Sequence, residues 1–103
     1  GDDVLNGLAG ADTLNGGEGS DTFVFSVIEK GDSISDFATG TDFIDLTTTG
    51  VAFTFVNNAE FTNTAGELRY ADGMLMGDVD GDGNADLTIN LNDANLSDSD
   101  LVL

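Results

Sequence analysis

The sequence predicts an all-β fold: a short parallel β-roll capped by an antiparallel, sandwich-like region. Three observations carry that expectation. A nine-residue pattern recurs over the first 25 residues, two short runs further on alternate apolar with polar residues, and no stretch longer than a turn shows a helical period. The roll repeats are placed at residues 1–25 and the cap at 26–103, the two forming one structural unit.

The repeat is clearest in Gly16-Gly17-Glu18-Gly19-Ser20-Asp21-Thr22-Phe23-Val24. The preceding nine residues keep the frame with Gly7, Gly10, Asp12 and Leu14, and Leu8 stands in the second glycine position. Gly1, Asp3 and Leu5 are the back end of a third copy. Aspartates Asp3, Asp12 and Asp21 thus recur every nine residues, as do the apolar Leu5, Leu14 and Phe23. Glycine-glycine-x-glycine-x-aspartate-x-apolar-x is the repeat of calcium-dependent rolls of the repeat-in-toxin (RTX) class. Each copy makes a turn and a short strand, and two copies complete one coil. Residues eighteen apart then stack, with Asp3 beside Asp21 and Asp12 on the opposite edge. Calcium takes six to eight hard oxygen ligands, which carboxylates and turn carbonyls of stacked loops can supply. Without a cation the stacked carboxylates repel, so binding and folding are expected to be one event.

Past Phe25 the frame stops. Residues 26–31 read as a linking turn, Ser33–Phe37 and Phe43–Leu46 as short strands, and Val51–Val56 as the most apolar strand, with Val51, Phe53 and Phe55 on one face. Residues 57–66 read as a loop with room for a helical turn near Ala59–Phe61. Asp72-Gly73 between Glu67–Ala71 and Met74–Val79 is a hairpin signal, and Leu87, Ile89 and Leu91 mark a half-buried strand. The phenylalanines and both methionines read as core.

A second acidic constellation, Asp78, Asp80, Asp82, Asn84 and Asp86, matches the early positions of a calcium loop. Position 12 falls on Ile89 rather than a glutamate, so this is either a cation loop between strands or an ordinary acidic hairpin turn. Asp36 is placed either as the group closing the last roll site or as a solvated acid. Asp32 is a weaker candidate, and Asp42 and Asp45 read as solvated strand-edge acids.

Composition narrows the function. Twenty acids against two basic residues (Lys30 and Arg69) give a net charge of −18, which opposes nucleic-acid and anionic-membrane binding. Forty per cent apolar residues and seven phenylalanines argue for a folded chain. With no histidine and no cysteine there is neither a histidine base nor a zincin-type ligand set, so the segment is expected not to be an enzyme. No apolar run is long enough for membrane insertion. The chain opens in mid-repeat and reads as the C-terminal piece of something longer.

The roll repeats, then "DTFVFS", "GDSISDFATGTDFIDL", "FTNTAGELRY", "DVDGDGNADLTINL" and "SDLVL", resemble in that order the C-terminal domain of serralysin-type secreted metalloproteases. The resemblance implies a calcium-loaded roll, an upstream zinc-protease catalytic domain as partner, and an extracellular location. It also implies a C-terminal signal for the type I ABC-transporter secretion machinery, matched by Asp100-Leu101-Val102-Leu103. The calcium ligands it implies are Asp3, Gly7, Ala9, Asp12, Gly16, Gly17, Glu18, Gly19 and Asp21, with Asp36 near the last roll site. The rival function is an accessory module that binds polysaccharide or a surface partner, as in alginate-modifying enzymes or adhesins.

Overall fold

The computed structural model describes residues 3–7, 10, 12–92 and 96–103. Its strands are β1 (Val4–Gly7), β2 (Thr13–Leu14), β3 (Thr22–Phe25), β4 (Asp32–Ile34), β5 (Phe43–Asp45), β6 (Thr54–Phe55), β7 (Glu67–Ala71), β8 (Met74–Asp78), β9 (Leu87–Asn90) and β10 (Leu101–Val102). Apart from these there are single 3-10 turns at Thr47–Thr49 and Asp98–Asp100. The fold is all-β.

The described strands form two sheets. One has the order β1-β3-β5-β10 and the other β2-β4-β9-β8-β7-β6. The first is parallel throughout, with Val4 opposite Thr22, Thr22 opposite Phe43, and Ile44 opposite Leu101. Parallel pairing also joins β2 to β4 and β4 to β9. The coil therefore runs on past residue 25, where the nine-residue motif ends, and β4 and β5 are its next rungs. In the second sheet β7, β8 and β9 form an antiparallel meander that shares β4 with the roll.

Period-2 alternation explains which residues face inward. Phe23 and Phe25 of β3, Ile44 of β5 and Leu101 of β10 point into one core. From the other sheet come Ile34, Leu68, Leu75, Leu87 and Ile89, followed by Leu46, Leu91, Phe37 and Phe53. Phe23 packs against Phe37 with ring centroids 6.4 Å apart. Phe43 points outward from β5 and is exposed, and Phe61, Met74 and Met76, also read as core, are half-buried and stand outside this cluster, with the Arg69 guanidinium over the Phe61 ring.

The Asp72-Gly73 hairpin forms as read, with both residues at positive φ (54° and 74°), the geometry of a type I′ turn. The apolar run 51–56 contributes only the two-residue β6, parallel to β7. No helical turn forms at Ala59–Phe61. The backbone of this region bonds to β7 instead: Val56 N–H donates to Leu68 O and Tyr70 N–H to Asn57 O. Asn57 and Asn63 also adopt positive φ, which breaks helical geometry.

The last strand is held by a buried acid. Asp100 accepts hydrogen bonds from Thr39 Oγ1, Gly40 N–H (2.9 Å) and Ser97 N–H (3.0 Å). Burial pushes its pKa up, but these donors outweigh it and hold the carboxyl below the usual range. Two predictions follow from the packing and this clasp. Phe23→Ala should cost about 3–5 kcal/mol, read as a lowered urea midpoint. Asp100→Asn should destabilise the fold near neutral pH. The gap to the parent chain should close as pH falls below about 4, the unfolded carboxylate range, and on through the depressed pKa of Asp100.

Candidate metal centre

The carboxylates of the roll are organised by one repeated contact. At Asp21, Asp32 and Asp42 a carboxylate oxygen accepts a hydrogen bond from a backbone N–H one coil earlier. Asp21 accepts from Asp3 N–H at 2.9 Å, and Asp42 from Asp21 N–H at 2.9 Å. On the other edge Asp32 accepts from Asp12 N–H at 2.9 Å. Asp3, Asp12 and Asp21 thus stand on the two edges that the eighteen-residue stacking predicts.

Asp42 corrects the sequence reading. It is buried, accepts a second bond from Ala38 N–H (2.9 Å), and continues the Asp3–Asp21 edge rather than lying in solvent. Asp45 is half-buried and bonds to the N–H and hydroxyl of Thr47.

At Asp21 and Asp32 the contact uses one oxygen and leaves the other. Asp12 Oδ2, Asp21 Oδ2, Glu29 Oε1 and Asp32 Oδ2 are buried without a hydrogen-bond partner. A buried carboxylate oxygen with no donor is costly, so each points to a missing positive partner. Three of the four acids converge: Asp12, Glu29 and Asp32 each offer an oxygen, all within 4.8 Å of one another. Glu29 is fixed there by Gly10 N–H, which donates to its Oε2 at 2.9 Å. Burial pushes the pKa of Asp32 up; the Asp12 N–H draws it down, and the charges of Glu29 and Asp12 push it up again. The donor set is oxygen alone, which suits a hard cation such as calcium rather than a soft metal.

At Asp21 the chain makes room for the carboxylate. A Cβ on Gly16 would lie 2.3 Å from Asp21 Oδ2, so the turn can wrap this acid only with glycine there. The N–H groups of Gly16 and Gly17 donate to Asp36 at 3.0 and 2.6 Å, so Asp36 clasps this turn. Glu18 and Gly19 stand at its exposed tip. Gly7 closes β1, opposite Phe25. Ala9 lies outside the described residues.

The second acidic group is built differently. Asp78, Asp80, Asp82 and Asp86 also offer oxygens within 4.8 Å of one another. Here, however, the loop spends its carboxylates on its own backbone. Asp78 accepts from Gly81 and Gly83 N–H (both 2.9 Å), Asp86 from Val79 N–H (2.9 Å), and Asp82 from Asn84 N–H (2.9 Å). Desolvation and the neighbouring Asp82 and Asp86 push Asp80 up, while the Asn84 N–H draws Asp82 down. Among the described residues, none of this loop's oxygens is a buried orphan.

Sequence reasoning passed over Glu29 and ranked Asp32 low. The available signal was spacing: Asp32 follows Asp12 by 20 residues and Asp42 follows Asp21 by 21, close to the eighteen of the first coil.

With this geometry in view, comparison with known families is decisive. The family described as Peptidase M10 serralysin C terminal matches residues 1–103. The chain belongs to the serralysin C-terminal family. Among curated proteins there is no match. The serralysin C-terminal domain is the non-catalytic part of secreted, serralysin-type proteases. None of its described helices is long and apolar enough to cross a membrane.

Gly16→Ala isolates the role of the Asp21 turn, because Gly16 does not occupy the positive-φ region and only the steric contact changes. The added methyl should displace the Asp21 carboxylate. Chemical-shift changes centred on Asp21 and Asp3, with the β7–β8 hairpin unmoved, are the expected result by amide NMR.

Proposed function

We propose that this domain is a calcium-dependent folding module of a secreted protease, and that its C-terminal strand carries the export signal. The observation that carries the reading is the set of orphaned, buried carboxylate oxygens on both edges of the roll. Asp12, Glu29 and Asp32 would hold one ion, and Asp21 would contribute to another on the opposite edge. The Asp78–Asp86 loop closes on its own carboxylates and stands outside this reading.

Calcium supplies positive charge and takes up the spare oxygens. The rest follows from the chain. At net charge −18 the roll's acids repel at close quarters, and the apolar rungs Leu5, Leu14 and Phe23 make only a thin core. At low cytosolic calcium the chain stays open and threadable. Outside the cell, where modules of this kind bind calcium at about 10⁻⁴–10⁻³ M, mass action favours the folded form. Of Asp100-Leu101-Val102-Leu103, which the family resemblance likens to a type I export signal, Leu101–Val102 form β10, Asp100 ends the 3-10 turn before it, and Leu103 is exposed.

Far-UV circular dichroism during a calcium titration of the chelator-stripped chain tests this, with magnesium as control. A gain of β signal with calcium and not with magnesium is the expected result. A chain equally folded with and without calcium would overturn the proposal.

A further inference from the structure

The segment Glu29–Asp32 is gripped from two sides. On the roll side its carboxylates meet Gly10 and Asp12: Gly10 N–H donates to Glu29 and Asp12 N–H to Asp32, both at 2.9 Å. On the cap side its backbone meets β9, with Asp32 opposite Ile89 and Thr88 bonded at two points. Thr88 N–H donates to Glu29 O at 3.2 Å, and Gly31 N–H donates to Thr88 Oγ1 at 3.0 Å. Immediately afterwards β4 pairs with β2 on one flank and β9 on the other, with Ser33 opposite both Thr13 and Asn90. The orphaned oxygens of Asp12, Glu29 and Asp32 therefore sit at the seam between the parallel coil and the antiparallel meander.

We infer that a cation held by Asp12, Glu29 and Asp32 docks the β7–β8–β9 meander onto the roll, and that Thr88 is the positioning residue that transmits it. This rests on the calcium reading above.

The physical argument is one of shared restraint. With no cation, three carboxylates within 4.8 Å drive the 29–32 segment away from Asp12. The segment cannot move without straining both Thr88 contacts and the start of the β4–β9 ladder. A cation removes the repulsion and fixes Glu29 and Asp32, which presents Glu29 O and Gly31 N–H to Thr88 in register. Linkage then requires the converse: loss of the Thr88 hydroxyl must weaken the cation's hold, although Thr88 supplies no carboxylate.

Amide NMR during a calcium chloride titration separates the two halves. Gly17 reports the roll and Gly77 of β8 reports the meander. In the parent chain both should reach their folded positions at the same calcium concentration. In Thr88→Val the Gly77 transition should lag that of Gly17 by at least about fivefold in calcium, the low end of coupling between linked sites. Thr88→Ser, which keeps the hydroxyl, should bring the two together again. In Glu29→Gln the Gly77 transition should move to higher calcium by at least a similar factor.

Both curves moving together in Thr88→Val, with no restoration by serine, would mean simple destabilisation and would overturn the inference. So would a Gly77 amide that holds its folded position in calcium-free parent chain while Gly17 responds. If neither amide responds to calcium in the parent chain, the calcium reading itself fails.

Discussion

The structure depends on one constraint: a carboxylate buried against the backbone of the preceding coil. At Asp21, Asp32 and Asp42 one oxygen accepts an N–H from the coil below. That bond fixes the stacking distance and satisfies a backbone donor at a turn, where no ladder partner is available. It also commits negative charge to the interior of an already acidic chain. At Asp12, Asp21, Glu29 and Asp32 the arrangement leaves an oxygen with no donor. The apolar side of the roll is thin, so the balance between folded and open chain turns on how that charge is met.

The remainder of the molecule extends the same two sheets rather than adding a separate body. β10 lies beside β5 in the sheet that begins with β1, and β9 lies beside β4 in the sheet that begins with β2. To the phenylalanines Phe23, Phe25 and Phe37 this half adds Leu68, Leu75, Leu87, Ile89 and Leu91. Roll and meander therefore share a core as well as a sheet. This arrangement lets a charge event on the roll edge be felt by the hairpins. The Asp78–Asp86 loop shows a contrasting solution: its acids, the buried Asp78 included, accept hydrogen bonds from their own turn's N–H groups.

Much of this was legible in the residues. The nine-residue period placed Asp3, Asp12 and Asp21 on their edges, and Asp72-Gly73 located the hairpin because only a few residue types accept positive φ at both central positions. Alternation at Leu87, Ile89 and Leu91 gave the buried face of β9. What escaped was the continuation of the coil. The step from one coil to the next lengthens from 18 residues at Asp3–Asp21 to 20 at Asp12–Asp32 and 21 at Asp21–Asp42. Two or three added loop residues break a fixed frame without breaking the stacking. Asp32 and Asp42 therefore looked like isolated acids, and Glu29, reaching in from a loop, belonged to no pattern. Residues 57–66 form the loop that was read, but without the helical turn near Ala59–Phe61, because backbone partners on β7 hold the start of the loop, out of reach of a local propensity argument.

The most direct test of the central claim is to locate the ion. Crystals grown with calcium, or with lanthanum in its place, should show an anomalous peak among Asp12, Glu29 and Asp32. Density confined to the Asp78–Asp86 loop, or absent from the roll edges, would contradict the account.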